Sequence, residues 1–133
     1  MKILVTGAFG NVGTSFAKEV AGRGHDVVYF DLDTRANRAK AKKSGVQVVW
    51  GDITDEAAVR TAVAGRDAVV HLAAVIPPAS IHHPALAEKV NVHGTRNVIE
   101  ACRAQPRPPR LAFASSVALF GPTQHLDPPR TLD

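Results

Sequence analysis

The sequence predicts an α/β domain on a doubly wound parallel sheet of strand order 3-2-1-4-5, and three observations carry that prediction. Apolar runs alternate with helix-patterned segments from the first residues to Ser115. Each strand candidate is an unbroken or nearly unbroken apolar run, so both faces of the sheet must be covered. The connections are short, and right-handed crossovers then set the strand order.

Residues 2–6, Lys-Ile-Leu-Val-Thr, read as a buried strand that ends in a glycine-rich turn. Residues 11–23 follow as a helix, with Val12, Phe16 and Val20 on one face and Gly22 and Gly24 as the stop. Residues 26–31 form strand two, and 36–43 a short basic helix. Gly45 turns the chain into strand three, 46–50. Thr54 is expected to cap the next helix, with Asp55 and Glu56 placed against its N-terminal dipole and Gly65 at its end. Strand four covers 67–72. Pro77 and Pro78 open a loop, and one long helix is expected over 84–104. Gln105-Pro106-Arg107-Pro108-Pro109 breaks it, and strand five follows over 110–115. The segment 122–133 holds three prolines and no periodicity.

At 133 residues the chain has the size of one domain and can bury a core. Its 45% apolar and 21% charged residues are ordinary globular values. No apolar run approaches the roughly 18 residues that span a bilayer, and the N-terminus lacks a secretory pattern. A cytoplasmic location and no membrane partner are therefore expected. The single Cys102 excludes an internal disulfide and a cysteine zinc cage, and no metal site is expected. The net charge of +4 comes largely from Arg35, Arg38, Lys40, Lys42 and Lys43 and from Arg103, Arg107 and Arg110. No aromatic residues interleave with these clusters, so solvated helix faces explain them better than nucleic-acid binding.

The chemistry concentrates after strand one. Thr6-Gly7-Ala8-Phe9-Gly10-Asn11-Val12-Gly13 joins a strand to a helix, which is where a backbone can approach a pyrophosphate and present free N–H groups at a positive dipole end. The spacing is Gly-x-x-Gly-x-x-Gly rather than the standard Gly-x-Gly-x-x-Gly. Asp31 closes strand two, 18 residues beyond Gly13, where a carboxylate can accept from the ribose hydroxyls of an adenosine and repel a 2′-phosphate. This favours NAD over NADP, although Arg35 and Arg38 nearby are good phosphate partners.

Taken together, these residues resemble the N-terminal part of an extended short-chain dehydrogenase/reductase, the NAD-dependent epimerase/dehydratase group, with its Rossmann-like fold. Further motifs carry the likeness: Gly51-Asp52-Ile53-Thr54-Asp55, His71-Leu72-Ala73-Ala74, Asn91 within Val90-Asn91-Val92, and Ser115-Ser116-Val117-Ala118-Leu119-Phe120-Gly121. The likeness covers residues 1–121, the expected NAD-binding domain, and 122–133 resemble the start of an active-site loop. It implies cofactor contacts from Gly7, Phe9, Gly10, Asn11, Val12 and Gly13 in the turn. It adds Asp31, Leu32, Asp52, Ile53, Leu72, Ala73, Ala74, Asn91 and Ser115, and it makes Ser116 the catalytic hydroxyl that hydrogen-bonds the substrate oxygen. His71 reads as a packed strand-end histidine, and His82 and His83 as a solvated loop pair.

The family's Tyr-x-x-x-Lys pair, its general base and ribose lysine, lies beyond the serine segment, and this sequence has none; Tyr29, the one tyrosine, is in strand two. The chain is thus expected to be a piece truncated before strand six. Strand five would stand at an exposed edge, and the piece alone would carry no hydride transfer above background. The implied parent is an epimerase, dehydratase or reductase acting on a nucleotide sugar or a similar hydroxyl or carbonyl substrate. Val117 and Ala118 stand where the dehydratases carry an acidic pair, which disfavours dehydration. A nonenzymatic NAD(P)-binding sensor is the alternative reading, and a homodimer stays open.

Overall fold

The computed structural model describes residues 1–20 and 22–116. Five parallel strands form one sheet in the order β3-β2-β1-β4-β5, as the sequence implied. They are β1 (Lys2–Thr6), β2 (Asp26–Asp31), β3 (Gln47–Trp50), β4 (Ala68–His71) and β5 (Arg110–Phe113). In register, Thr6 stands beside Phe30 on one side and His71 on the other. The C-terminal ends of the three central strands therefore meet at one edge.

Side chains alternate across a strand, and here the alternation sorts them into two cores. Leu4, Val28, Phe30 and Val69 pack with Val59, Ala62 and Val63 of α3 (Glu56–Val63) and with Val98, Ala101 and Cys102 of α6 (Thr95–Arg103). Ile3, Val5, Phe9 and Tyr29 face the other way, toward Phe16 and Ala17 of α1 (Asn11–Val20) and Ala41 of α2 (Arg35–Ser44). Both faces are covered, which is why the strands carry no polar alternation. Leu111 and Phe113 of the edge strand β5 are exposed. Among the described residues, no helix is long and apolar enough to cross a membrane.

Two expectations need correction. Asp55, not Thr54, caps α3: its carboxylate accepts from the N–H groups of Ala57 and Ala58. Thr54 is already taken, because its N–H and its hydroxyl both donate to Asp52 Oδ1. A carboxylate one residue later then meets the free N–H groups directly. The expected helix over 84–104 is not uniform either. A single turn, α4 (Ala79–His82), precedes it, and α5 (Pro84–Glu88) runs into a widened π turn, Lys89–Gly94, before α6. The dihedrals stay right-handed at both junctions, so the helix is rewound rather than broken. Within the wide turn Gly94 packs against α3's entry: a Cβ there would lie 2.7 Å from Ile53 Cγ2.

Two polar side chains sit inside this apolar frame, Thr6 and His71, each 1% exposed. Thr6 Oγ1 accepts from the N–H groups of Leu72 and Ala73, at 3.3 Å each. Its two lone pairs are then used, so its proton points to His71 Nδ1, 2.6 Å away. That assigns the ring proton to Nε2, which donates to Thr95 Oγ1 at 2.9 Å. The ring also stacks on Phe113. One neutral imidazole thereby ties β1, β4 and α6 together, as the packed-histidine reading anticipated. Burial without a carboxylate partner pushes the His71 pKa down to about 4.

Alanine normally improves a helix over glycine by about 1 kcal/mol. At Gly94 the stiff, branched Ile53 reverses the sign, and Gly94→Ala should cost about 1–2 kcal/mol by urea denaturation. In an Ile53→Ala background the same change should become neutral or stabilising; equal costs in both backgrounds would refute the contact. For His71, the unfolded chain binds a proton more tightly than the folded one, so stability falls as pH drops from about 6.5 toward 4. Between pH 7 and 4.5 this group should account for a loss on the order of 2 kcal/mol. His71→Gln should remove that part of the fall, and an unchanged pH slope in the variant would show that another group is responsible.

Candidate functional site

The edge where β1, β2 and β4 end opens into a cavity of about 310 Å³. Its walls come from four strand ends: Gly7 and Gly10 after β1, Phe30, Asp31 and Leu32 at β2, Gly51, Asp52 and Ile53 after β3, and Leu72, Ala73, Ala74 and Val75 after β4. Leu86 of α5 and Val90 of the π turn close the far side. In this topology β1 sends one connection toward β2, while β4 joins its other side, so the cavity occupies the switch point where open α/β sheets take ligands.

The turn after β1 forms one wall of the cavity. Gly7 has φ +64° and donates its N–H to Phe30 O at 3.0 Å. A Cβ at Gly7 would lie 2.6 Å from Ala73 N, so any side chain there would collide with the strand-four segment. Gly13 plays the equivalent part inside α1, where a Cβ would meet Ala8 O at 2.5 Å. The helix can thus start close under the turn; Asn11, Val12 and Gly13, which open α1, do not themselves line the cavity. Phe9 turns inward instead, edge-on to Tyr29 and stacked on Trp50.

Asp31 is held at the rim by three donors. Its Oδ2 accepts from Phe9 N at 2.9 Å, and its Oδ1 accepts from Leu32 N at 2.8 Å and Asn37 Nδ2 at 3.2 Å. A carboxylate offers about four acceptor positions, so capacity remains for a ligand. Behind the turn, Lys40 Nζ donates to Phe9 O at 2.7 Å. Sequence reasoning did not single out Asn37 or Lys40 for the site. The only available signal was their i, i+3 spacing, which puts both on one face of α2.

Of the residues expected at the site, Gly7, Gly10, Asp31, Leu32, Asp52, Ile53, Leu72, Ala73 and Ala74 line the cavity together. Asn91 does not. Its amide grips the backbone of Val75 in both directions, accepting from Val75 N at 2.7 Å and donating to Val75 O at 2.9 Å. It acts on the cavity by fixing the wall residue Val75. Gly51, part of the quoted motif but not among the expected contacts, is needed because a Cβ there would press 2.7 Å from the Phe30 ring. Ser115 and Ser116 follow β5 at the surface and do not line the cavity. His82 and His83 are exposed. No group of His, Cys, Asp or Glu suited to a metal ion occurs among the described residues. Val117, Ala118 and the loop over 122–133 lie outside the described residues.

The site fits a dinucleotide by its own geometry. The glycine turn packs its bare backbone against the strand-four segment, the acid stands at the end of β2, and the remaining wall is mostly apolar. Comparison with known proteins agrees. A 2-alkyl-3-oxoalkanoate reductase from Stenotrophomonas maltophilia is 40% identical over 104 residues, covering 78% of this chain and 30% of that protein. UDP-glucuronate 4-epimerase 3 of Arabidopsis thaliana is 34% identical over 130 residues, covering 90% of this chain and 30% of its own. A crystal structure of a short-chain dehydrogenase/reductase superfamily protein from Agrobacterium tumefaciens with bound NAD superposes with a TM-score of 0.75 at 32% identity, over 91% of this chain and 34% of that one. The chain therefore spans about a third of these proteins' length. The model of the NAD dependent epimerase/dehydratase family matches residues 3–133, and the chain belongs to that family.

Proposed function

We propose that this chain is the cofactor-holding part of an NAD-dependent epimerase or reductase acting on a small hydroxyl or carbonyl substrate. The observation that carries the reading is Asp31, fixed by three donors at the rim of a cavity whose floor admits only glycine. NAD, when bound, supplies reversible hydride acceptance. This chain's own part is to hold and orient that group.

In this reading the turn from Gly7 to Gly13 holds the pyrophosphate, with Phe9 anchoring the turn from behind. Asp31 accepts from the adenosine ribose hydroxyls beside Leu32, and its charge disfavours a 2′-phosphate. Asp52 and Ile53 border the adenine. Leu72, Ala73 and Ala74 form the apolar strip that leads from there toward the chemistry and excludes water, and Asn91 keeps Val75 in line with them. Ser115 stands beside the nicotinamide, and Ser116 donates its hydroxyl to the substrate oxygen. One relative is a 2-alkyl-3-oxoalkanoate reductase and another a UDP-glucuronate 4-epimerase. A carbon that passes between hydroxyl and carbonyl is the substrate feature we assign here, with nucleotide sugars as one class that presents it.

Titration with NADH, read by cofactor fluorescence, tests the proposal. Saturable binding by the native chain is expected, with a preference over NADPH. Asp31→Ser should weaken NADH roughly tenfold, the effect of losing charge-assisted hydrogen bonds, and should narrow the preference. Absence of saturable binding by folded protein would refute the reading. In the full-length protein, Ser116→Ala should lower turnover about a hundredfold or more while leaving NADH affinity in place.

A further inference from the structure

The cofactor reading accounts for Asp31 but not for the guanidinium beside it. Arg38 follows Asn37 on α2, and the Asn37 amide nitrogen lies 3.2 Å from Asp31 Oδ1. The Arg38 Cζ lies 6.0 Å from the centroid of the Trp50 ring. Trp50 is the strand partner of Asp31 in the β2–β3 register. A fixed positive charge thus belongs to the neighbourhood of the adenosine end. It does not stand open, however. Arg38 Nε donates to Asp33 Oδ1 at 2.5 Å, and Nη2 donates to Asp33 Oδ2 at 2.6 Å.

A guanidinium presents its N–H groups in a rigid fork, and a carboxylate and a phosphate offer that fork the same pair of oxygens. Asp33 therefore fills the positions that a phosphate would take. Isolated exposed ion pairs are weak, but the bidentate form is the one that keeps its geometry. Hydrogen bonds from Arg38 lower the pKa of the Asp33 carboxyl from its ordinary value.

Resting on the cofactor reading above, we propose that Asp33 is a specificity-determining residue that keeps Arg38 away from the 2′-phosphate of NADP. Selection against NADP then has two layers. Asp31 repels the phosphate, and Asp33 occupies a nearby guanidinium shaped to reward it. Arg35, one turn earlier on α2, makes no ion pair among the described residues. It is a general positive charge without the seat that Trp50 gives Arg38.

The test is fluorescence titration of the full chain with NADH and NADPH at one ionic strength, with thermal melts to confirm folding. Asp33→Ala should tighten NADPH roughly tenfold and leave NADH within about twofold, as expected for a freed bidentate phosphate partner. Adding Arg38→Ala to that variant should erase the gain. An unchanged NADPH-to-NADH ratio in Asp33→Ala would overturn the proposal. So would a gain that survives loss of Arg38, because removal of a negative charge alone would then explain it. If folded native protein binds neither nucleotide, the cofactor reading fails and takes this proposal with it. Native binding of NADH with an unshifted ratio in the variant sinks the proposal alone.

Discussion

The close approach of two backbone segments, the turn after β1 and the strip after β4, is the constraint on which the rest of the structure depends. Gly7 stands where a single carbon would press into Ala73 N. Because nothing larger than hydrogen occupies that point, the turn can drop between the strand ends and leave a hollow above it. The Thr6 hydroxyl reinforces the same junction by accepting from Leu72 N and Ala73 N. His71 then carries the junction into α6 through Thr95. Catalytic chemistry is not required of this histidine. Its two ring nitrogens serve two hydroxyls, and the low local polarity that keeps it neutral also keeps that arrangement unique.

Helix α2 shows how a polar, largely exposed element can still govern a site. It buries no residue fully. It nevertheless reaches the turn through Lys40 and the rim through Asn37. The acid at the end of β2 is thereby both a ligand for the turn's own N–H at Phe9 and a candidate ligand for the cofactor. Those two uses are compatible because a carboxylate accepts more bonds than either needs. The turn and the acid are consequently one unit: moving either would disturb the other.

Much of this was legible in the sequence. The doubly covered parallel sheet follows from apolar runs such as Ile3 to Val5 and Ala68 to Val70, and its order from short right-handed crossovers. The glycine turn and Asp31 follow from spacing within one strand–helix–strand unit. The parts that were not legible depend on distance. Lys40 meets Phe9 across 31 positions of chain, and no local pattern announces that meeting. Thr54 and Asp55 are both competent caps; what decided between them was the prior engagement of Thr54 by Asp52, a three-residue competition invisible to propensity. The π turn escaped notice because one extra residue per turn hardly alters an apolar stripe. The Asn91 motif points to a cofactor contact; its two bonds to the Val75 backbone depend on where the loop after β4 lies.

Cys102 lies on α6 in the core that faces α3, 5% exposed, and burial raises its thiol pKa. It is the only sulfhydryl in the chain, and it sits on the opposite face of the sheet from α1 and α2. A thiol-reactive dye therefore has a single target, reachable only when the α3–α6 layer lifts from the sheet. The labelling rate, followed with and without nucleotide, would time that layer's breathing by itself. The molecule thus carries a built-in clock for one of its two halves.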